Sequence, residues 1–240
     1  MTLSKPKPDL SLEAQYGHPQ VLLAGVDEVG RGCLAGPVYA AAVILPAEVH
    51  LDSWKDLKKK QPWLKEVNDS KLVAREMREE LAPLIRSWAR AHAVAFATVE
   101  EIDRINIHHA SHLAMIRAIR ALGLVPNQIL IDGKFVPRDF AREFPRTLVA
   151  AVVKGDQKSL SIACASILAK VERDSLMVAL DAQYPGYGLA DHKGYSTPAH
   201  KAALTKLGAC VLHRRSFSPV RESLVPEAVR TQESLFFGGS

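Results

Sequence analysis

Apolar residues fall into short blocks along this chain, and the spacing inside each block decides the element it predicts. Residues 21–26 are an apolar run stopped by two acids and two glycines, the pattern of a buried strand entering a turn. Residues 38–45 are a second such run, and the glycine-rich link between the two predicts a hairpin. Residues 46–68 are polar and lysine-rich, carry Trp54 and Trp63, and predict an insertion. Met77, Leu81, Leu84, Ile85 and Trp88 recur at helical spacing over residues 74–90, and residues 91–97 follow as a strand. Thr98 with Glu101 three positions on is a capping box, opening helical sequence that runs with a break to Gly123, a good C-terminal stop. Residues 128–131 and 148–153 predict two further strands, each ending just before an acid near a glycine. Residues 159–182 predict a long helix of small and apolar residues, and Thr197-Pro198 predicts another, with threonine as cap and proline in first position.

Strands and helices in this order make an α/β chain, a mixed sheet with helices packed on it. No internal repeat interrupts the order, and biased composition is confined to the ends. Residues 1–20 predict a flexible leader and 226–240 a flexible tail. Between them the chain divides into a main body over 21–182 and a helical segment over 183–225.

Composition narrows the setting. With 240 residues, 48% hydrophobic and 24% charged, the chain has the length and apolar content for one large domain with a real core. Residues 1–8 alternate lysine with proline and lack the apolar stretch of a secretory signal. The longest nearly apolar run, residues 34–47, contains Gly36 and Pro37 and falls short of the ~20 residues a membrane helix needs, so a soluble chain is expected. Cys33, Cys164 and Cys210 are odd in number and far apart, which argues against disulfides or a zinc site and fits a reducing cytoplasm. Cys33 and Cys164, among small apolar residues, read as packing groups. Lys and Arg exceed Asp and Glu by 31 to 26, a mild excess that favours a polyanionic partner without requiring one.

Three of the predicted strands finish on carboxylates: Asp27 with Glu28, Asp132 of Ile131-Asp132-Gly133, and Asp156 of Lys154-Gly155-Asp156. Any one of these acids alone reads as a turn, because Asp and Gly are the usual turn formers. As a set they read as four acids converging at one edge of a sheet, where they would repel one another unless a cation held them. Oxygen-only ligands point to Mg²⁺ or Mn²⁺. Adjacent strand residues face opposite sides, so Asp27 and Glu28 are expected to share a site only if the chain leaves strand geometry between them, a departure Gly30 and Gly32 would permit. Neither phosphate-loop nor dinucleotide fingerprint fits these glycines: Gly30 is followed by Arg31, and the third glycine is out of place.

Gly25-Val26-Asp27-Glu28-Val29-Gly30-Arg31-Gly32 resembles the opening motif of the bacterial ribonuclease HII family. Further motifs follow in that family's order: Asn68-Asp69-Ser70-Lys71, Ile131-Asp132-Gly133, Lys154-Gly155-Asp156, Ala165-Ser166-Ile167-Leu168-Ala169-Lys170-Val171, His192-Lys193-Gly194-Tyr195 and His213-Arg214-Arg215-Ser216-Phe217. The resemblance spans roughly residues 21–220. It implies a ribonuclease H-like fold whose C-terminal helical segment completes the substrate cleft. It also implies an endonuclease that hydrolyses the RNA strand of RNA/DNA hybrids and incises 5′ of ribonucleotides embedded in DNA. By the same resemblance Asp27, Glu28, Asp132 and Asp156 bind two divalent ions, Mg²⁺ or Mn²⁺, with Asp27 bridging both. The products would carry 3′-hydroxyl and 5′-phosphate ends, and the work would be ribonucleotide and primer removal in DNA replication and repair. In the family the turn Gly30-Arg31-Gly32 reads the 2′-hydroxyl and Tyr195 packs on the sugar at the RNA-to-DNA junction; without the motif, Tyr195 would read as ordinary packing.

Lys71, Lys154, Lys170, His192, Lys193, Arg214 and Arg215 are candidate phosphate contacts, Lys71 first and then the two arginines, against the plainer reading of a solvated surface. Lys58-Lys59-Lys60 reads as a solvated run. Leu72 stands where many relatives carry a second lysine, which touches affinity rather than chemistry. In the tail, Gln232-Glu233-Ser234-Leu235-Phe236 resembles the short motif by which bacterial proteins dock on the replication sliding clamp, with Leu235 and Phe236 as anchors and Gln232 as a polar latch; the alternative is an apolar end packed back on the body. Competing readings are a junction resolvase, which has no need of a 2′-hydroxyl reader, a type HIII enzyme, which usually adds an N-terminal domain, and a non-catalytic hybrid-binding protein, against which the four acids argue. A monomer is expected.

Overall fold

The computed structural model describes residues 7–51 and 53–224. β1 (Leu23–Val29) and β2 (Val38–Ile44) form the expected antiparallel hairpin, with Asp27 opposite Ala41 and Glu28 opposite Ala40. β3 (Ala91–Ala97) pairs antiparallel with β2. β4 (Gln128–Asp132) and β5 (Leu148–Val152) add in parallel on the other side of β1, giving the order β3-β2-β1-β4-β5. The mixed sheet inferred from the pattern is therefore the one observed.

Helices cover both faces because every central strand is apolar on both sides. α4 (Val99–Arg120) lies on one face, where Ala110, Ala114 and Ile119 meet Val26, Ala42 and Ile131. The capping box of Thr98 and Glu101 opens α4, and Asn106, with φ of 64°, is the break within it. α3 (Arg75–Trp88) and α6 (Leu160–Gln183) cover the opposite face, where Leu81, Ile85, Ala163 and Ile167 pack on Ala41 and Val43. Burying each such Leu or Ile contributes roughly 1.5–3 kcal/mol. A Cβ on Gly25 would stand 2.4 Å from the Ser161 and Ile162 backbone, so a glycine is what lets α6 lie directly on β1.

The insertion is packed rather than loose. Its helix α2 (Trp54–Lys60) is capped by Ser53, and Leu57 and Leu64 join the α3 and α6 cluster. Trp63 meets Trp88 edge-on at 5.3 Å. α5 (Arg138–Glu143) was not expected, since six residues around the single buried anchor Phe140 are too few to show a helical period. C-terminal to α6 come α7 (Leu189–His192), α8 (Pro198–Leu207) and α9 (Ser218–Ser223), with Thr197 capping α8 as anticipated. They pack against the β1–β2 connection through Leu34 and Ala35.

The leader needs correction. Among its described residues, α1 (Ser11–Gln15) docks on the body, and Asp9 bridges to Ser159. Glu13 is fully buried, and its Oε1 accepts from the Ser161 backbone N–H at 2.9 Å and the Ser161 hydroxyl at 2.8 Å, as well as from the Ser159 hydroxyl. A sequence window rich in polar residues conceals one such anchor, because its partners lie 146 and 148 positions away. Replacing Glu13 by alanine strands these buried donors and is expected to cost about 2 kcal/mol, read as a lower urea midpoint.

Candidate active site

Parallel pairing sets Val26 beside Ile131 and Asp132 beside Val152, so β1, β4 and β5 end at one level. Asp27 and Asp132 stand at those ends, and Asp156 follows β5 in the short turn Gly155–Gln157. One carboxylate oxygen from each of the three lies within 4.8 Å of the others. Asp27 and Asp156 are each 5% exposed. Asp132 accepts the Gly155 N–H at 2.7 Å and Asp27 accepts the Glu28 N–H at 2.7 Å, while the neighbouring Ser166 hydroxyl donates to the Ser70 hydroxyl at 2.9 Å.

Burial and mutual repulsion dominate the electrostatics here. Asp27 is pushed well above the usual carboxylate range by burial, then by Glu28, Asp132 and Asp156. Asp156 rises to about 7, from burial first and then from Asp132 and Asp69. Asp132 is raised by burial. Burial opposes the charge on Lys71, yet Asp69, Asp27, Asp156 and Asp132 outweigh it and hold the ammonium above its ordinary pKa. Such a cluster holds more negative charge than its own cations offset, and hard divalent cations suit its all-oxygen donors.

Glu28 behaves differently from its neighbour. β1 stays paired with β2 through Val29, so the expected departure from strand geometry between Asp27 and Glu28 does not occur. Asp27 turns to the α6 face and Glu28 to the α4 face, where it pairs with Arg31 at 3.4 Å. Glu28 stands outside the tight triad but lines the same cleft as Asp27, and burial together with the Asp132 charge raises its pKa against the pull of Arg31.

Gly30, Arg31, Gly32, Lys71 and Tyr195 line that cleft of about 160 Å³ with the two β1 acids. Gly30 has φ of 93°, and a Cβ there would stand 2.2 Å from Nε of Arg173. Arg173 is buried and donates to the carbonyls of Pro37, Lys193 and Ala35 at 3.0, 2.8 and 3.0 Å, tying the glycine turn to the loop that carries Tyr195. Tyr195 also bridges to Cys33, and the Lys170 ammonium sits 5.1 Å from its ring. A Cβ on Gly32 would meet nothing within 4 Å.

The cationic candidates separate by burial. Lys71, Lys154 and Arg215 are exposed, and Lys154 adopts a left-handed conformation just before Gly155. Arg214 is fully buried and donates to the carbonyls of Gly36 and Arg31 at 2.9 Å each; it braces the glycine turn rather than facing phosphate, contrary to expectation. Lys170 is held by Asp174 at 2.8 Å, Lys193 by the Ala190 carbonyl, and His192 stacks on His200. Gln232, Leu235 and Phe236 lie outside the described residues.

Asp69 and Arg173 were missed as contributors. Asp69 is buried, accepts from Gln157 at 3.1 Å and from the Lys71 N–H at 3.0 Å, and bears on Asp156. It does not end a strand, so the signal used for the other acids passes over it. Arg173 sits in mid-helix, where a lone arginine gives no hint of burial.

A family model described as Ribonuclease HII matches residues 24–220. The chain belongs to the ribonuclease HII family. It is 51% identical over 202 residues to the ribonuclease HII of Laribacter hongkongensis, covering 84% of this chain and 93% of that protein. Over 229 residues it is 48% identical to the ribonuclease HII of Paracoccus denitrificans, covering 94% and 99%. Among solved structures it resembles the ribonuclease H2 of Pyrococcus horikoshii, with a TM-score of 0.67 at 26% identity over 84% of this chain and 96% of that one. The ribonuclease HII of Archaeoglobus fulgidus, solved in complex with PCNA, gives 0.65 at 27% identity over 82% and 96%. Family membership identifies a hydrolase with ribonuclease H endonuclease activity on RNA/DNA and a dependence on divalent metal. Among the described residues no helix is long and apolar enough to cross a membrane.

Proposed function

We infer that the chain hydrolyses the RNA strand of RNA/DNA hybrids and incises duplex DNA 5′ of embedded ribonucleotides, leaving 3′-hydroxyl and 5′-phosphate ends. The observation that carries this reading is a carboxylate triad whose Asp27 also lines one cleft with Gly30-Arg31-Gly32 and Tyr195. A chain that only bound hybrids would have no use for three carboxylates pressed together at a cost in electrostatic repulsion.

Asp27, Asp132 and Asp156, with Glu28 at the rim, would hold two divalent ions, Mg²⁺ or Mn²⁺, and Asp27, which lies among the other three acids, would serve both. When bound, the ions supply the charge that activates a water and offsets negative charge on the leaving 3′-oxygen. The protein's own work is then to position. The Glu28 N–H orients Asp27, the Gly155 N–H orients Asp132, and Lys71 places a cation on the acidic edge to meet a phosphate. The glycine turn gives backbone groups access to a 2′-hydroxyl that side chains would obstruct, and Tyr195 offers a ring to the sugar. Lys154 and Arg215, both exposed, are positioned to hold the backbone beyond.

Incubating a DNA duplex carrying a single ribonucleotide with the protein and Mg²⁺ or Mn²⁺ tests the reading: one cut 5′ of the ribonucleotide is expected, and none from Asp132→Asn. No cleavage with either ion would sink it. Gly32→Ala adds a sharper check. Its Cβ enters open cleft space, so the thermal midpoint should stay unchanged while ribonucleotide cleavage falls by about tenfold or more, the methyl now occupying the substrate's side.

Gln232, Leu235 and Phe236 would dock the chain on a replication clamp, a reading supported by the Archaeoglobus complex and by the anchor chemistry of the tail. Removing residues 231–240 should then abolish capture by the clamp without changing cleavage of free duplex. Such docking would place the enzyme, in the cytoplasm, at sites of ribonucleotide and primer removal.

A further inference from the structure

Helix α4 restarts at Asn106, whose side chain accepts from the N–H groups of His108 at 2.9 Å and His109 at 3.2 Å. The restart sets the phase of the turns that follow. His109 and His112, three positions apart, share one side of the helix and meet Asp139 in the first turn of α5. His109 Nδ1 lies 3.8 Å from Asp139 Oδ2, and a ring nitrogen of each histidine lies within 4.8 Å of the others and of an Asp139 oxygen. His112 is buried against His108, its ring centroid 4.2 Å away, while His109 is exposed and Asp139 half-exposed.

We propose that His109, His112 and Asp139 form a second metal site, separate from the carboxylate centre, that takes one transition-metal dication such as Zn²⁺ or Co²⁺. The donor set decides the class of ion. Two imidazoles and one carboxylate suit borderline-soft cations, whereas Mg²⁺ keeps to oxygen ligands and water. Metal–ligand bonds of about 2.0 Å at tetrahedral angles place donor atoms roughly 3.3 Å apart, so small rotations of His109 and Asp139 close the site around a fixed His112. A solvent molecule fills the fourth position, since His109 opens to water.

The location gives the site a consequence. His112 lines the cavity that also holds Glu28 and Asp132, while His109 and Asp139 line the neighbouring one, so the ion stands in the partition between them. Asp139 belongs to α5, which is reached from β4 through residues 133–137. An ion bridging α4 to α5 therefore restrains the segment that leaves Asp132 and carries Lys134 and the 83% exposed Phe135 along the cleft wall. It would add to the tie that Phe140 and the Arg120–Glu143 ion pair already make between the two elements, and it draws on none of the catalytic acids.

The test uses the full chain in excess Mg²⁺, which occupies the oxygen sites, titrated with Zn²⁺ from a chelator buffer and separately with Co²⁺. One equivalent of bound Zn²⁺ is expected, together with the intense visible Co²⁺ absorption of a four-coordinate nitrogen and oxygen site. His109→Ala and Asp139→Asn, both at accessible positions, should each weaken Zn²⁺ binding about tenfold or more and abolish the Co²⁺ band. Both should keep Mg²⁺-supported cleavage, which shows them folded. If the wild-type chain retains no Zn²⁺ under Mg²⁺, or if both variants bind it as the wild type does, the site does not exist.

Discussion

Replacing Asp27 by asparagine is expected to abolish cleavage and, in the absence of metal, to make the protein more stable. The two effects share one cause. Asp27 is buried among Glu28, Asp132 and Asp156, so its charge is unfavourable until divalent cations offset it. The amide keeps the shape and an acceptor for the Glu28 N–H while removing that charge and a carboxylate that would hold metal. Turnover should fall by at least about a thousandfold, some 4 kcal/mol of transition-state stabilisation. The metal-free thermal midpoint should rise, and the stabilisation that Mg²⁺ or Mn²⁺ gives the wild type should shrink. Asp156 supplies the pH dependence. Its folded pKa of about 7 stands above the unfolded value of about 3.9, so the stability it contributes is complete below the unfolded value and is lost as pH rises through the folded one. Without metal, the advantage of Asp156→Asn over the wild type should grow from pH 4 to about pH 7 and then level off. A flat difference across that window, measured by thermal unfolding, would overturn the electrostatic account of the site.

The strand-ending acids were legible because two local signals coincide at each: an apolar run that fixes strand length, and a glycine that follows or precedes the carboxylate. Parallel pairing of β1, β4 and β5 then converts three separate strand ends into one edge, a step the alternation of strands and helices already implies. What stayed hidden depends on partners far away in the chain. Glu13 looks like one polar residue in a leader until Ser159 and Ser161 meet it. Arg214 looks like a surface cation until its carbonyl partners, Gly36 and Arg31, lie 178 and 183 positions distant. Asp69 joins the acidic edge through a loop whose pattern carries no period at all. The misjudged relation of Asp27 to Glu28 has another origin. Alternation was taken to forbid a shared site, yet at the end of a strand side chains from both faces reach the same cleft without any break in pairing.

Arg173 explains why the two glycines of the turn should fail in different ways. Gly32 faces open space, whereas Gly30 at φ of 93° lies against a guanidinium pinned by three carbonyls. Gly30→Ala therefore combines left-handed strain with a collision that Arg173 cannot relieve by swinging aside, and should cost about 3 kcal/mol. For a chain of this size that is a fall of roughly 6–12 °C in thermal midpoint. Arg173→Met removes the obstacle but leaves the Pro37, Ala35 and Lys193 carbonyls without their donor, and should cost about 3–5 kcal/mol by itself. The double variant is the discriminating measurement. With the guanidinium gone the alanine methyl has room, so the combined cost should fall short of the sum by about 1 kcal/mol or more. Strict additivity would mean that Gly30 is required for its backbone alone and that Arg173 plays no part in shaping the turn. Coupling in stability, accompanied by loss of ribonucleotide cleavage in each single variant, would establish Arg173 as the positioning residue that holds the glycine turn and the Tyr195 loop in register.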